Sequence, residues 1–138
     1  MRYELMRPEE IRREIEKGTP LVGPIGVMEF HGGHLPVGTD TLSVIHACER
    51  LEKEMDVMVF PPFHFGAASK AVSSPLGPEG ARGTVDVTPD AMVPFFRQVF
   101  RGILDVGHRN VHVVVFHQSE DFLQGMPTDL SLRLAARQ

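Results

Sequence analysis

Alternating strand and helix patterns predict an α/β layered fold with a mainly parallel sheet. Two apolar runs carry that reading: Leu21 to Val27, and the β-branched Val111 to Phe116, which has the composition of a strand at the centre of a parallel sheet. Between them lie two segments of helical period, 40–55 and 88–107. Size is the third observation: 138 residues suit one compact core, so 1–138 is expected to be a single domain without internal repeats.

Taken in order, Pro8 followed by Glu9 and Glu10 suits a first helical turn, with Ile11 and Ile15 on one face and Gly18 as the stop. Leu21 to Val27 is interrupted by Gly23, Pro24 and Gly26, and reads as a buried strand passing into a loop from Met28 to Thr39. From Asp40 or Thr41 onward, Leu42, Ile45, Cys48, Leu51 and Met55 recur every three or four residues and predict a helical apolar stripe. A strand over Asp56 to Phe60 is cut by Pro61 and Pro62. Phe63 to Gly83 has no sustained period and predicts a long loop, which inside a compact domain usually serves function. Thr84 to Val87 predicts a short strand. Thr88 and Pro89 then offer an N-cap and a first-turn proline for a helix to Gly107, striped by Met92, Phe96, Val99, Ile103 and Val106. Pro94 removes a backbone donor within that helix and predicts either a kink or a later start. Val111 to Phe116 delivers His117 at its carboxyl end, and Pro127 to Arg137 reads as a last helix.

Composition narrows the function. With 42% hydrophobic and 23% charged residues and no apolar run long enough to span a bilayer, disorder and a membrane role are disfavoured. Fourteen Lys and Arg against eighteen Asp and Glu give a net charge of -4, which argues against a general nucleic-acid binder. The single cysteine forms no internal disulfide and MRYELMRPEE lacks the apolar core of a signal peptide, so a cytoplasmic protein is expected. Cys48 falls on the apolar face of its helix, as a buried structural thiol rather than a nucleophile.

The densest set of potential ligands is Glu29-Phe30-His31-Gly32-Gly33-His34-Leu35-Pro36-Val37-Gly38-Thr39-Asp40. In a locally extended chain, Glu29 and His31 project to the same side about 6.5 Å apart, a reach suited to adjacent metal ions. Glycines at 32, 33 and 38 permit a tight return that brings Asp40 to the same place. Two carboxylates and an imidazole are borderline ligands that suit Zn²⁺ or Mn²⁺ rather than copper or an iron–sulfur cluster. His117, at the end of another strand, would complete the shell at the carboxyl edge of the sheet, where open α/β sheets place their ligands. Any one of these histidines alone is more often structural. The trio Glu29, His31 and Asp40 stands out because turn formers and apolar anchors, not a solvated charge run, separate its members.

The segment GVMEFHGGHLPVGTD resembles the signature of the creatininase (creatinine amidohydrolase) family, G-S-x-E-Q-H-G-P-H-L-P-L-G-T-D. Two weaker motifs follow in order: Arg82-Gly83-Thr84-Val85 where the family has F-P-G-T-I, and VHVVVFHQSED where it has a strand ending in N-G-H-G-G-N. The resemblance implies a three-layer αβα sandwich and a two-metal hydrolase, commonly acting on non-peptide C–N bonds, in a ring-shaped homo-oligomer that is often hexameric. It implies two divalent ions, Zn²⁺ or Mn²⁺ with Fe²⁺ as a further option, and a small-molecule substrate. Position by position, Glu29 matches the ligand of the first metal, His31 that of the second, Asp40 the bridging carboxylate and His117 the histidine on the first metal. The remaining ligand falls to Glu120, because Ser119 holds the place where creatininase itself has glutamate in H-Y-E-N. His34 lies in the signature and is expected to hold the loop by hydrogen bonds.

Two departures stand beside the match. Gln118-Ser119 replaces the Gly-Gly of most members, so side chains cover backbone that normally approaches the substrate, and a different substrate preference is expected. The chain ends at Gln138 without the segment like H-A-G-x-x-E-T-S that supplies a further histidine or ligand in the family. His64, in Pro-Pro-Phe-His-Phe-Gly, is the candidate general acid if its loop overhangs the site; a structural histidine among Phe63 and Phe65 is the competing role. Ser69, Lys70, Ser73, Ser74 and Arg82 are candidates to face the substrate. The function expected is hydrolysis of a small cyclic or linear amide by a dinuclear metal-activated water. Opening of an oxidised cyclic polyol is one alternative; a catalytically inactive structural or regulatory family member is the other.

Overall fold

The computed structural model describes residues 1–69, 83–117 and 128–138. A 3-10 turn at Tyr3–Leu5 precedes helix α1, Pro8–Lys17. That helix begins where Pro8 predicts, with the Arg7 backbone N–H donating to Glu10 at 2.8 Å, and stops at Gly18 in the left-handed conformation, φ 74°.

Among the described residues three parallel strands form the sheet: β1 (Leu21–Ile25), β2 (Met58–Val59) and β3 (Val111–Val115), in the order β2-β1-β3. The central strand pairs with β3 along its length, Leu21 opposite Val111 and Ile25 opposite Val115, and with β2 at Leu21–Met58 and Val22–Val59. The strand expected over 56–60 contracts to two residues, although Val57 is buried and the Phe60 N–H still donates to Val22 at 2.8 Å. Pro61 and Pro62 have no N–H with which to extend that ladder. The strand expected over 84–87 is instead a pair of isolated bridges, Val85 to Met28 and Asp86 to Gly66. Each residue meets a different segment, so no ladder propagates.

Helix α2 (Thr39–Glu54) links β1 to β2, and α3 (Pro89–Val106) links β2 to β3 back across the sheet. Right-handed crossovers running in opposite directions put their helices on opposite faces. The core shows that division. Val22 and Val114 meet Val44, Cys48 and Leu51 of α2 on one face. Ile25 and Val115 meet Met92 and Phe96 of α3, with Leu132 and Ala135 of α4 (Thr128–Arg137), on the other. The fold is therefore an αβα sandwich around a parallel sheet.

Two helices refine the expectation. In α2 the buried residues are Thr41, Val44 and Cys48, while Leu42 and Met55, assigned to the stripe by period alone, are 54% and 47% exposed. Thr41 packs so closely on Gly26, just past β1, that no Cβ would fit there, and the buried face of the helix is the one that carries Thr41. Helix α3 starts at Pro89 rather than later and runs through the exposed Pro94, forgoing one backbone hydrogen bond. Met92 and Phe96, each contributing about 2 kcal/mol by burial, hold it to the sheet. Among the described residues no helix is long and apolar enough to cross a membrane.

Candidate metal centre

Because β1 and β3 are parallel, their carboxyl ends share one edge of the sheet. From β1 the chain passes to α2 on one face, whereas the helix after β3, α4, packs on the other. Connections that diverge in this way open a crevice at the edge. Glu29 lies just past β1, Asp40 in the first turn of α2 and His117 just past β3. The loop between Glu29 and Asp40 is closed by the Glu29 N–H donating to Val37 at 2.9 Å, and Gly32 makes the return with φ 80°. The Phe30 N–H donating to Thr84 Oγ1 at 3.0 Å pins the loop from outside.

The two oxygens of Asp40 each face a different imidazole. Oδ1 is 3.0 Å from His31 Nε2, and Oδ2 is 2.9 Å from His117 Nδ1. Glu29 Oε1 sits between the rings, 3.7 Å from His31 Nε2 and 3.5 Å from His117 Nδ1. Glu29, Asp40 and His117 offer one ligand atom each, all within 4.8 Å of one another. The far nitrogens are also fixed: His31 Nδ1 donates to the Glu29 carbonyl at 3.0 Å and His117 Nε2 to the Ala67 carbonyl at 2.9 Å. A carbonyl only accepts, so those nitrogens carry the hydrogens and the opposite nitrogens are turned toward the carboxylates. Metal-ligating histidines are oriented by the same device.

Burial makes this arrangement demanding. Glu29 is 6% exposed, and the side chains of His117 and Asp40 are 2% and 15% exposed. Among the described residues no Lys or Arg pairs with Glu29 or Asp40, and two sheltered carboxylates this close require positive charge. The N-terminus of α2 supplies part of it at Asp40. Burial favours the neutral form of His31, but the hydrogen bond to the Glu29 carbonyl and the charges of Asp40 and Glu29 outweigh that and raise its pKa above the ordinary value. A divalent cation fits the same donor set, since two carboxylates and two imidazoles with their far nitrogens satisfied are ligands of the Zn²⁺ and Mn²⁺ type.

The structure thus brings Glu29, His31 and Asp40 of one loop together with His117 from the end of β3. Glu120 lies outside the described residues, as do Gln118, Ser119, Lys70, Ser73, Ser74 and Arg82. His64 follows Phe63, which bridges Ile25 at the same edge, and among the described residues its buried Nδ1 has no hydrogen-bond partner. Phe63 stacks on Phe60 and meets Phe95 and Phe96 edge-on, and among the described residues no ring contact joins it to His64. His34 is exposed, and among the described residues no hydrogen bond is formed by its side chain. Burial pushes the Cys48 thiol up, in keeping with a structural cysteine. Sequence reasoning missed the contribution of 66–69. The Ser69 backbone N–H donates to Glu29 Oε2 at 2.9 Å and the Ala68 N–H to Asp86 Oδ1 at 2.8 Å. Backbone donors in a Gly-Ala-Ala-Ser run leave no side-chain signature to read.

A parallel αβα sandwich with a carboxylate–imidazole cluster at its carboxyl edge defines an α/β protein with a candidate metal centre. The family profile described as creatininase, creatinine amidohydrolase, matches residues 4–136, and the chain belongs to the creatininase family. The crystal structure of a creatinine amidohydrolase (creatininase) superposes with a TM-score of 0.79 at 20% identity, over 99% of this chain and 51% of that one. A structure described as creatininase Mn matches with a TM-score of 0.78 at 21% identity, over 99% of this chain and 51% of that one. A mutant creatininase of Zn–Zn type gives the same four values, 0.78, 21%, 99% and 51%. The chain spans about half the length of the creatininase chains it matches. No curated protein matched the sequence.

Proposed function

We propose that this chain carries the metal centre of a creatininase-type hydrolase that cleaves a C–N bond in a small cyclic or linear amide. The observation that carries the reading is Asp40, whose two oxygens face His31 and His117 separately while Glu29 reaches toward both. That arrangement supports two adjacent ions, with Glu29 and His117 on the first, His31 on the second and Asp40 shared between them; Glu120, outside the described residues, is the remaining ligand on the support of the sequence resemblance alone. Such a pair of ions, when bound, supplies a nucleophile from water at neutral pH and polarises the carbonyl to be attacked. Zn²⁺ and Mn²⁺ are the candidates, supported by matched creatininases described as Zn–Zn type and as Mn.

The chain's own groups do the rest. The Ala67 and Glu29 carbonyls hold the two imidazoles in the tautomers that leave Nδ1 of His117 and Nε2 of His31 free to ligate. His64 is the candidate proton donor to the leaving nitrogen, on the support of its place at the same edge and its unpartnered Nδ1. A matched creatininase is described as complexed with creatine, which supports a small polar nitrogen compound here too. Gln118 and Ser119, which replace Gly-Gly, argue for a preference of their own. Assembly into a homo-oligomer belongs to the same reading, supported by exposed Val113 and Phe116 at the β3 edge.

Metal analysis of protein purified without chelator tests the first step, with about two equivalents of Zn or Mn per chain expected. No uptake, even after reconstitution, would refute it. Screening cyclic amides, lactams and cyclic polyol ketones with metal-loaded protein tests the second; turnover of the polyol ketones alone would replace the amide reading.

A further inference from the structure

We infer that Thr128, the first residue of α4, is a positioning residue for the metal centre, acting on His117 through the backbone of Ala67. The inference rests on the reading of His117 as a ligand and deepens it. His117 Nε2 donates to the Ala67 carbonyl at 2.9 Å, which presents Nδ1 to Asp40 and Glu29. That carbonyl belongs to a segment outside any strand or helix, so something else has to hold it. The Thr128 hydroxyl does so from both sides of one residue: Oγ1 accepts from the Ala67 N–H at 3.0 Å and donates to the Ala67 carbonyl at 3.3 Å. A carbonyl has two lone pairs, so it serves the imidazole and the hydroxyl together. Thr128 is 1% exposed and sits where no water competes for these bonds.

The next two residues extend the same strap. The Ala68 N–H is held by Asp86 and the Ser69 N–H by Glu29, so consecutive amides from 67 to 69 are each taken by a side chain. One end of the strap orients His117 and the other orients Glu29. Helix α4 packs on the face of the sheet away from α2, yet its first residue reaches the centre through this segment. Among the described residues Thr128 makes no hydrogen bond to a metal ligand; its effect runs through the carbonyl that fixes the His117 ring.

The test separates positioning from packing with two substitutions that remove different parts of one side chain. Thr128→Val keeps the volume and deletes the hydroxyl; Thr128→Ser keeps the hydroxyl and deletes a buried methyl. Affinity for Zn²⁺ and for Mn²⁺ is measured by competition with a chromophoric chelator, beside the melting temperature of each metal-free protein. Thr128→Val is expected to lose about tenfold in affinity, in the range for partners that orient a ligating ring. Thr128→Ser is expected to bind as wild type while melting lower. Equal affinity in Thr128→Val and wild type would overturn the inference, and so would an affinity that follows melting temperature across the pair.

A measurement on the wild type needs no variant. In the Zn²⁺-loaded chain, ¹H–¹⁵N spectra of the His117 ring are expected to show a slowly exchanging proton on Nε2. Metal on Nε2, or a proton in fast exchange there, would overturn the role of the Ala67–Thr128 pair. Wild-type protein that takes up neither ion would overturn this inference together with the reading beneath it, whereas uptake indifferent to Thr128 would overturn this inference alone.

Discussion

Asp40 is the residue on which the centre turns, because among the described residues it alone faces both imidazoles at hydrogen-bond distance. Asp40→Ala is expected to abolish uptake of both ions, measured by equilibrium dialysis followed by elemental analysis. Loss of one ion with retention of the other would contradict a shared carboxylate. At the opposite end of β3, His108 is 2% exposed, 3.4 Å from the Tyr3 hydroxyl, with a pKa lowered from the ordinary 6.5 by burial. The unfolded chain therefore binds a proton at this residue at pH values where the folded one does not. Its contribution to stability is complete above pH 6.5 and is lost as the pH falls toward the folded pKa. Urea unfolding between pH 7.5 and 5.5 (about one unit either side of the unfolded value) is expected to show that decline, and His108→Gln to flatten it. Glu29, His31 and Asp40 were legible in the sequence because turn formers keep them within one short loop. The hydrogen-bond state of each imidazole was not, since it depends on carbonyls whose neighbours only folding selects.

Helix α2 shows what periodicity leaves open. Spacing alone assigns Leu42 and Met55 to its apolar stripe, but both are exposed and Val44 is buried instead. Two stripes of similar period overlap in the sequence, and the buried one is the stripe that includes Thr41, packed against Gly26 at the helix start. A Cβ added to Gly26 would come within 2.5 Å of Thr41 Cα and 2.6 Å of its Oγ1. Backbone atoms there have no rotamer with which to yield. Gly26→Ala is therefore expected to destabilise the fold by about 1–3 kcal/mol, as overpacking does. Because the displaced turn also carries Asp40, metal affinity is expected to fall with it. Chemical denaturation and the chelator competition measure the two effects; a stable variant with intact metal affinity would show that the β1–α2 contact does not position the centre.

At the scale of the molecule, the sheet joins residues far apart in the chain into one site, and occupancy of that site should be felt by the whole fold. A ligand present at a hundred times its dissociation constant stabilises the native state by about 2.7 kcal/mol, corresponding to a rise of roughly 10 °C in melting temperature. Zn²⁺ or Mn²⁺ is expected to produce a shift of that order, reversed by chelator, and a melting temperature indifferent to both ions would count against the centre. Alternation of β-branched runs with helical period, by itself, determined the parallel α/β layers, and the Glu29-x-His31 spacing with Asp40 determined the local donor set. Both are properties of neighbouring residues, governed by backbone period and turn chemistry. Tertiary structure alone decided which nitrogen each ring presents, which face of α2 is buried, and that the Thr128 hydroxyl holds the Ala67 backbone behind His117. Those outcomes depend on contacts between residues distant in sequence, chosen by packing and by the need of buried polar groups for partners.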